Sequence, residues 1–145
     1  FQIAMGADLR YAAPDVRMSI MESKWGLIPD MAISATLRHL VPPDRLKELA
    51  FSADVFDAEE GLRLGTITRI EKEPLEAARR MAHEIAARSP DAIRGIKRLV
   101  NESWHASEAG GLQLEAQIQV ALLQSPNQAE AVRAGLEKRP AKFAD

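Results

Sequence analysis

From Glu73 almost to its end, this chain repeats one pattern: "PLEAARRMAHEIAARS", "SPDAIRGIKRLVNES", "GGLQLEAQIQVALLQ" and "SPNQAEAVRAGLEKR", each with apolar residues at helical spacing. Ser89-Pro90 and Ser125-Pro126 punctuate the run. Each pairs an N-cap serine with a proline at the first helical position, where a missing N–H costs nothing, and Gln128 completes a capping box in the last segment. Strands are thereby confined to the residues before Glu71. There "LRYAAP" and "VRMSI", turned by "APD", and then "TITRI" read as short strands rich in β-branched or aromatic residues. Two or three strands cannot normally make an independent buried sheet, so this part needs partners, either upstream residues or another subunit.

The helices of the first part are shorter. "FQIAMGAD" suits a short buried helix leaving through Gly6 in the left-handed conformation. It reads as the middle of an element, with no cap before it, so the chain is expected to be a fragment of a longer one. "MAISATLRHLV" puts Ile33, Leu37 and Leu40 near one face before Pro42-Pro43 stops it, and "PPDRLKELAFSA" then restarts a helix with Leu46 and Leu49 inward. In "DAEEGLRLG", Asp57 can cap, Glu60 sits at the capping-box position and Gly65 can terminate.

Composition narrows the function. A chain of 145 residues suits one domain with a real core, and 46% hydrophobic with 28% charged residues excludes a disordered chain. The formal net charge of −2, with Lys and Arg scattered among Asp and Glu, leaves no electrostatic footprint for nucleic acid or an anionic membrane. Zero cysteines exclude a disulfide framework and thiolate chemistry, and fit a reducing cytoplasm. No apolar run reaches the roughly 18 to 20 residues a membrane span needs, so a soluble, cytoplasmic protein is expected.

Among chemistry-bearing residues, His39, His83 and His105 lie at no spacing that suits metal ligands and read as surface or core histidines. Gly110-Gly111 reads as a helix boundary rather than an anion site, and no serine has a nucleophile-elbow context. Carboxylates remain. In "MESKWGLIPD", Glu22 precedes Trp25, Gly26, Leu27, Ile28 and Pro29, an apolar setting that would desolvate it in the way a general acid or base is tuned. Asp30 precedes "MAISATLRHLV", where it is either an N-cap or a second acid/base group. The apolar residues between them are divided between pocket lining and plain core.

"FQIAMGADLRYAAPDVRMSIMESKWGLIPDMAISATLRHLV", followed by "LKELAFSADVFDAEEGLRLGTITRI" and a tail "EKRPAKFAD", resembles the enoyl-CoA hydratase/isomerase (crotonase) superfamily over nearly the whole chain. The resemblance implies an α/β ClpP/crotonase-like spiral core, second half only, at residues 1–71, followed at 72–145 by a C-terminal α-helical trimerisation region. The family's N-terminal β-α repeats would lie outside the sequence. So would the two backbone N–H groups that stabilise the enolate oxygen, donors worth about 3 to 4 kcal/mol each, and the chain by itself is expected to be inactive.

The resemblance also places residues. Of the two glutamates that family hydratases use, the first falls on Gln2 and the second on Glu22. An amide can orient a water but cannot accept its proton, which argues against hydration. Asp30 stands where hydratases tend to have glycine, but where the family's dienoyl-CoA isomerases and chlorobenzoyl-CoA dehalogenases carry a functional Asp. The implied enzyme shuttles protons on an acyl-CoA thioester, in fatty-acid or related metabolism, with Glu22 and Asp30 catalytic and Gln2, Trp25, Leu27, Pro29, Lys142 and Phe143 binding substrate. No metal or separate cofactor is implied, because coenzyme A arrives as part of the substrate. Lys142 and Phe143 would meet its phosphate and adenine end; otherwise they belong to a frayed C-terminus. Broad apolar faces, with Leu112, Ala116, Val120 and Leu123, favour an oligomer, and the resemblance implies a homotrimer or a dimer of trimers. Two other readings are a non-catalytic acyl-CoA-binding or structural homologue, and a helical interaction domain unrelated to CoA with no strand at "VRMSI" or "TITRI".

Overall fold

The computed structural model describes residues 1–144 and divides into two compact units, Phe1–Arg79 and Arg80 onward. The division falls within a helix, a little beyond the change of sequence character at Glu71.

The first unit opens with a 3-10 helix, Gln2–Gly6, and strand β1, Tyr11–Ala12. A second 3-10 helix, Glu22–Trp25, follows, then α1 (Ile33–Thr36), α2 (Pro43–Ser52), α3 (Ala58–Arg63) and strand β2 (Arg69–Ile70). The strands pair in parallel, Tyr11 opposite Arg69 and Ala12 opposite Ile70. Parallel pairing needs a long crossover, and the helices between the strands supply it. Met5, Ile20, Ile33, Leu37, Val41, Leu49, Phe56 and Leu64 form one buried cluster, on which the Phe1 ring meets Phe56 edge-on, centroids 5.5 Å apart.

The strands are shorter than their sequence predicts, and backbone bonding gives the reason. In "VRMSI" only Met18 pairs, exchanging two 2.9 Å bonds with Phe56, while the Val16 N–H turns back to Ala13. In "TITRI" the Thr66 and Ile67 N–H groups both reach the Gly61 carbonyl, so these two residues belong to the exit from α3. Gly65 makes that exit at φ 76°, as expected of a helix-terminating glycine. Gly6 does not take the left-handed conformation; its helix passes into extended backbone at Ala7.

Helix α1 covers little of "MAISATLRHLV", yet the apolar period persists beyond it. Leu40 and Val41 both bond the Leu37 carbonyl, so Ile33, Leu37 and Val41 point inward and Leu40 is only partly buried. Asp57 caps α3, accepting from the Glu60 N–H at 3.0 Å. The Glu60 carboxylate does not return to close a capping box. It binds Arg63 and, at 2.9 Å, Arg45, which also contacts Glu48 and so ties α2 to α3. These bonds, led by Arg63, hold the Glu60 carboxyl below its ordinary range.

All four later segments are helices: α4 (Pro74–Ala86), α5 (Pro90–Ser103), α6 (Glu108–Leu123) and α7 (Pro126–Leu136). Ser89 and Ser125 cap α5 and α7, accepting from the N–H groups of Ala92 and Gln128. Ser107 does the same for α6 through Gly110, so Gly110-Gly111 lies in the first turn rather than before it. Within the second unit α5 and α6 run antiparallel. A Cβ on Gly95 would meet Ile118 and Leu122, while one on Gly111 would meet Ser103, so the contacts run in opposite directions along the two helices.

Candidate active site

The site is built in the first unit from three segments far apart in sequence. Glu22 begins the 3-10 helix Glu22–Trp25 and is half-buried. Gly26 follows at φ 68°, a conformation that costs a side-chain-bearing residue about 1 kcal/mol or more. This reverses the chain so that the Leu27 N–H reaches back to the Glu22 carbonyl at 3.1 Å.

Gln2, buried at the start of the first 3-10 helix, donates from Nε2 to Glu22 Oε1 at 2.6 Å. Its own Oε1 accepts the Met31 N–H at 3.1 Å. Because that N–H must meet an oxygen, the amide orientation is fixed and its NH2 end faces the carboxylate. Glu22 Oε2 is buried and meets no donor among the described residues. A carboxylate with one oxygen held by a neutral amide and the other free of protein donors can take up and return a proton.

Asp30 lies one residue before Met31 and is exposed. It is not an N-cap: α1 starts from Ala32, which stands in the left-handed region at φ 62°, with no side chain capping the helix. That turn at Ala32 separates Asp30 from the first-turn N–H groups, which corrects the capping expectation. Trp25 and Ile28, each 77% exposed, and Leu27, also exposed, are not core either. The side-chain hydrogen bond Glu22 has is from Gln2, a partner that nothing in local sequence pattern signals. Pro29 is half-buried. A shallow cavity of about 410 Å³ lies elsewhere in this unit, lined by Arg17, Val55, Phe56, Asp57 and Glu60, none of them a predicted site residue.

In the second unit the tail is anchored rather than frayed. Buried Asn127 donates to Asp91 at 2.9 Å and to the Ala144 carbonyl at 2.8 Å, and accepts the Ala144 N–H at 2.9 Å. Glu130 receives the Arg139 guanidinium through both carboxylate oxygens and the Lys142 N–H at 2.8 Å. Hydrogen bonding from Arg139 first, then from that N–H, lowers its carboxyl to about 2. The Lys142 side chain is exposed and Phe143 half-buried. No local motif marks Asn127 and Glu130, because their partners Ala144 and Arg139 lie many residues away. All three histidines are exposed, and no cluster that could hold a metal ion occurs among the described residues.

Comparison with known proteins places the chain in a lineage. The model of the enoyl-CoA hydratase/isomerase family matches residues 1–145. The chain belongs to the enoyl-CoA hydratase/isomerase family. Among its relatives are a crotonyl-CoA hydratase of Syntrophomonas wolfei, 29% identical over 98% of this chain and 55% of the relative, and a mouse methylglutaconyl-CoA hydratase, 28% identical over 98% of this chain and 47% of the relative. The crystal structure of an enoyl-CoA hydratase from a Polaromonas species superposes with a TM-score of 0.91 at 28% identity, covering 99% of this chain and 56% of its own. The chain thus spans about half the length of the curated relatives it matches. Its helices and small sheet are consistent with the second half of the crotonase fold. Membership overturns the reading as a helical domain unrelated to CoA enzymes. Enoyl-CoA hydratase/isomerase enzymes need no separate cofactor, coenzyme A being part of the substrate.

Proposed function

We propose that this chain forms the C-terminal part of an enzyme that moves a proton on an acyl-CoA thioester, in the manner of an enoyl-CoA isomerase, within fatty-acid or related acyl-CoA metabolism. The single observation that supports this is the placement of Glu22: one oxygen on the Gln2 amide, the other buried without a protein donor, in a chain that matches the family throughout.

In this reading the Glu22 carboxylate removes a proton from the acyl carbon beside the double bond. The C–H electron pair passes to the thioester oxygen as a dienolate. Protonated Asp30 then delivers a proton at the far end of the conjugated system, the carbonyl re-forms, and the double bond has moved with no change in composition. Glu22 is left protonated and Asp30 ionised until solvent exchange resets them. Gln2 cannot accept a proton, so addition of water is disfavoured against isomerisation. Trp25, Leu27 and Pro29 offer apolar surface to the acyl chain, and Lys142 and Phe143 suit the phosphate and adenine of coenzyme A. The family resemblance implies a homotrimer or a dimer of trimers, and the exposed Leu112, Val120 and Leu123 of α6 support association of copies.

Glu22→Gln and Asp30→Asn, made separately in the intact protein, test the assignment. Each is expected to lower enoyl-CoA turnover by about 100-fold or more, the scale of lost acid/base catalysis. Full turnover in both would overturn it. Tight binding of acyl-CoA by the wild type without turnover would instead favour a non-catalytic acyl-CoA-binding homologue, the reading that Gln2's amide leaves open.

A further inference from the structure

Gln2 is placed to do more than line a pocket. It is buried, and both ends of its amide are committed, Nε2 to Glu22 Oε1 at 2.6 Å and Oε1 to the Met31 N–H at 3.1 Å. The two partners belong to the segments that carry the two candidate acid/base groups, since Met31 follows Asp30 directly. The intervening chain is held by its own short-range bonds, those of the second 3-10 helix and the Leu27 N–H to the Glu22 carbonyl, and by the Ser23 hydroxyl on the Phe51 carbonyl at 3.5 Å, while Gly26 and Ala32 both stand in the left-handed region and residues 23 to 28 are exposed. Such a loop has few buried contacts of its own to fix its ends.

We propose that Gln2 is a positioning residue, resting on the functional reading above: its amide braces Glu22 and the Asp30–Met31 peptide against the first 3-10 helix and leaves Glu22 Oε2 as the oxygen that exchanges protons. A residue of this kind acts through orientation, which weighs on the chemical step more than on binding, because small displacements of a reacting group cost rate. One side chain with a donor at one end and an acceptor at the other is required. Methionine matches the length of glutamine and supplies neither bond. Glutamate keeps an acceptor for Met31 but presents an oxygen, not a donor, to Glu22.

The test has two arms in the intact protein. In the first, Gln2→Met is expected to lower kcat on an enoyl-CoA by about 10- to 100-fold, the worth of a hydrogen bond to a charged group, while KM changes by less than about threefold. Gln2→Glu is expected to lower kcat for double-bond isomerisation likewise, with hydration assayed separately because the substitution places a second glutamate opposite Glu22. The second arm needs no turnover. In 15N-labelled wild type, one Gln2 side-chain amide proton is expected downfield of the free-amide range, returning to it in Glu22→Leu, and the Met31 amide resonance is expected to move in Gln2→Met. Wild-type kcat in both Gln2 variants, or a Gln2 amide resonating as a free one, would overturn the proposal. If the wild type turns over no acyl-CoA, the catalytic reading fails by itself and the resonances alone decide whether the brace exists. If Glu22→Gln is inactive while the Gln2 variants are normal, the catalytic reading stands and the brace does not.

Discussion

At the scale of single residues, burial and exposure separate the side chains that hold the fold from those available to a ligand. Leu37 is fully buried within the first unit's cluster. Truncating it removes its own transfer free energy and leaves a cavity among neighbours that can relax only in part. Leu37→Ala is therefore expected to cost about 3 to 4 kcal/mol in urea unfolding, and a loss below about 1 kcal/mol would show that this cluster collapses freely. Thr66 is equally buried for a different reason. Its hydroxyl joins its own N–H and that of Ile67 on the Gly61 carbonyl, so one backbone oxygen gathers three donors at the exit from α3. Trp25 and Ile28 lie at the opposite extreme, large apolar groups left exposed to water.

At the scale of elements, the helices that follow a capping serine behave as their chemistry dictates, whereas the strands depend on what lies beside them. A serine hydroxyl needs only the N–H three residues on, so Ser89, Ser107 and Ser125 cap regardless of tertiary context. The segment after α7 is held differently, by Asn127 and by the Glu130 carboxylate. Because the Glu130 carboxyl is lowered from 4.5 to about 2 by Arg139 and the Lys142 N–H, the contribution of this clasp is complete above the unfolded value. It is lost as pH falls from about 4.5 through about 2. The Lys142 amide resonance is expected to titrate with a midpoint near 2. A midpoint at the ordinary carboxylate value would mean that Arg139 and Glu130 do not pair in solution. The same clasp sets where Lys142 and Phe143 emerge.

At the scale of the whole molecule, α6 carries apolar residues around its circumference, a composition normally found in fully covered helices. Here Leu112, Val120 and Leu123 are exposed, as are Ile96, Val100 and Trp104 on α5. Association of copies through α6 would remove this surface from water. Sedimentation velocity of the intact protein is expected to give an oligomer, and Leu123→Asp to lower its mass toward that of one subunit. A wild type that sediments as a monomer would end the assembly proposal. Family membership was legible in the ordered set of pieces from "FQIAMGAD" to "EKRPAKFAD", and the match over residues 1–145 confirms it. Individual strands were not legible to their true length. Their extent is fixed by bonds such as Thr66 to Gly61, made between residues whose turn propensities did not distinguish them from a strand.

What the sequence determined by itself depends on short-range chemistry: four late helices, the serine caps at Ser89 and Ser125, and the glycine exit at Gly65. Tertiary structure alone decided how Glu22 and Asp30 stand. It brought Gln2 across to Glu22 and Met31, put Ala32 rather than Asp30 at the head of α1, and turned Trp25, Leu27 and Ile28 outward. The physical reason is that a helix or a cap is satisfied within a few residues of itself. A buried side-chain hydrogen bond between residues 2 and 22 exists only once the chain between them has folded back, and no local propensity encodes that distance.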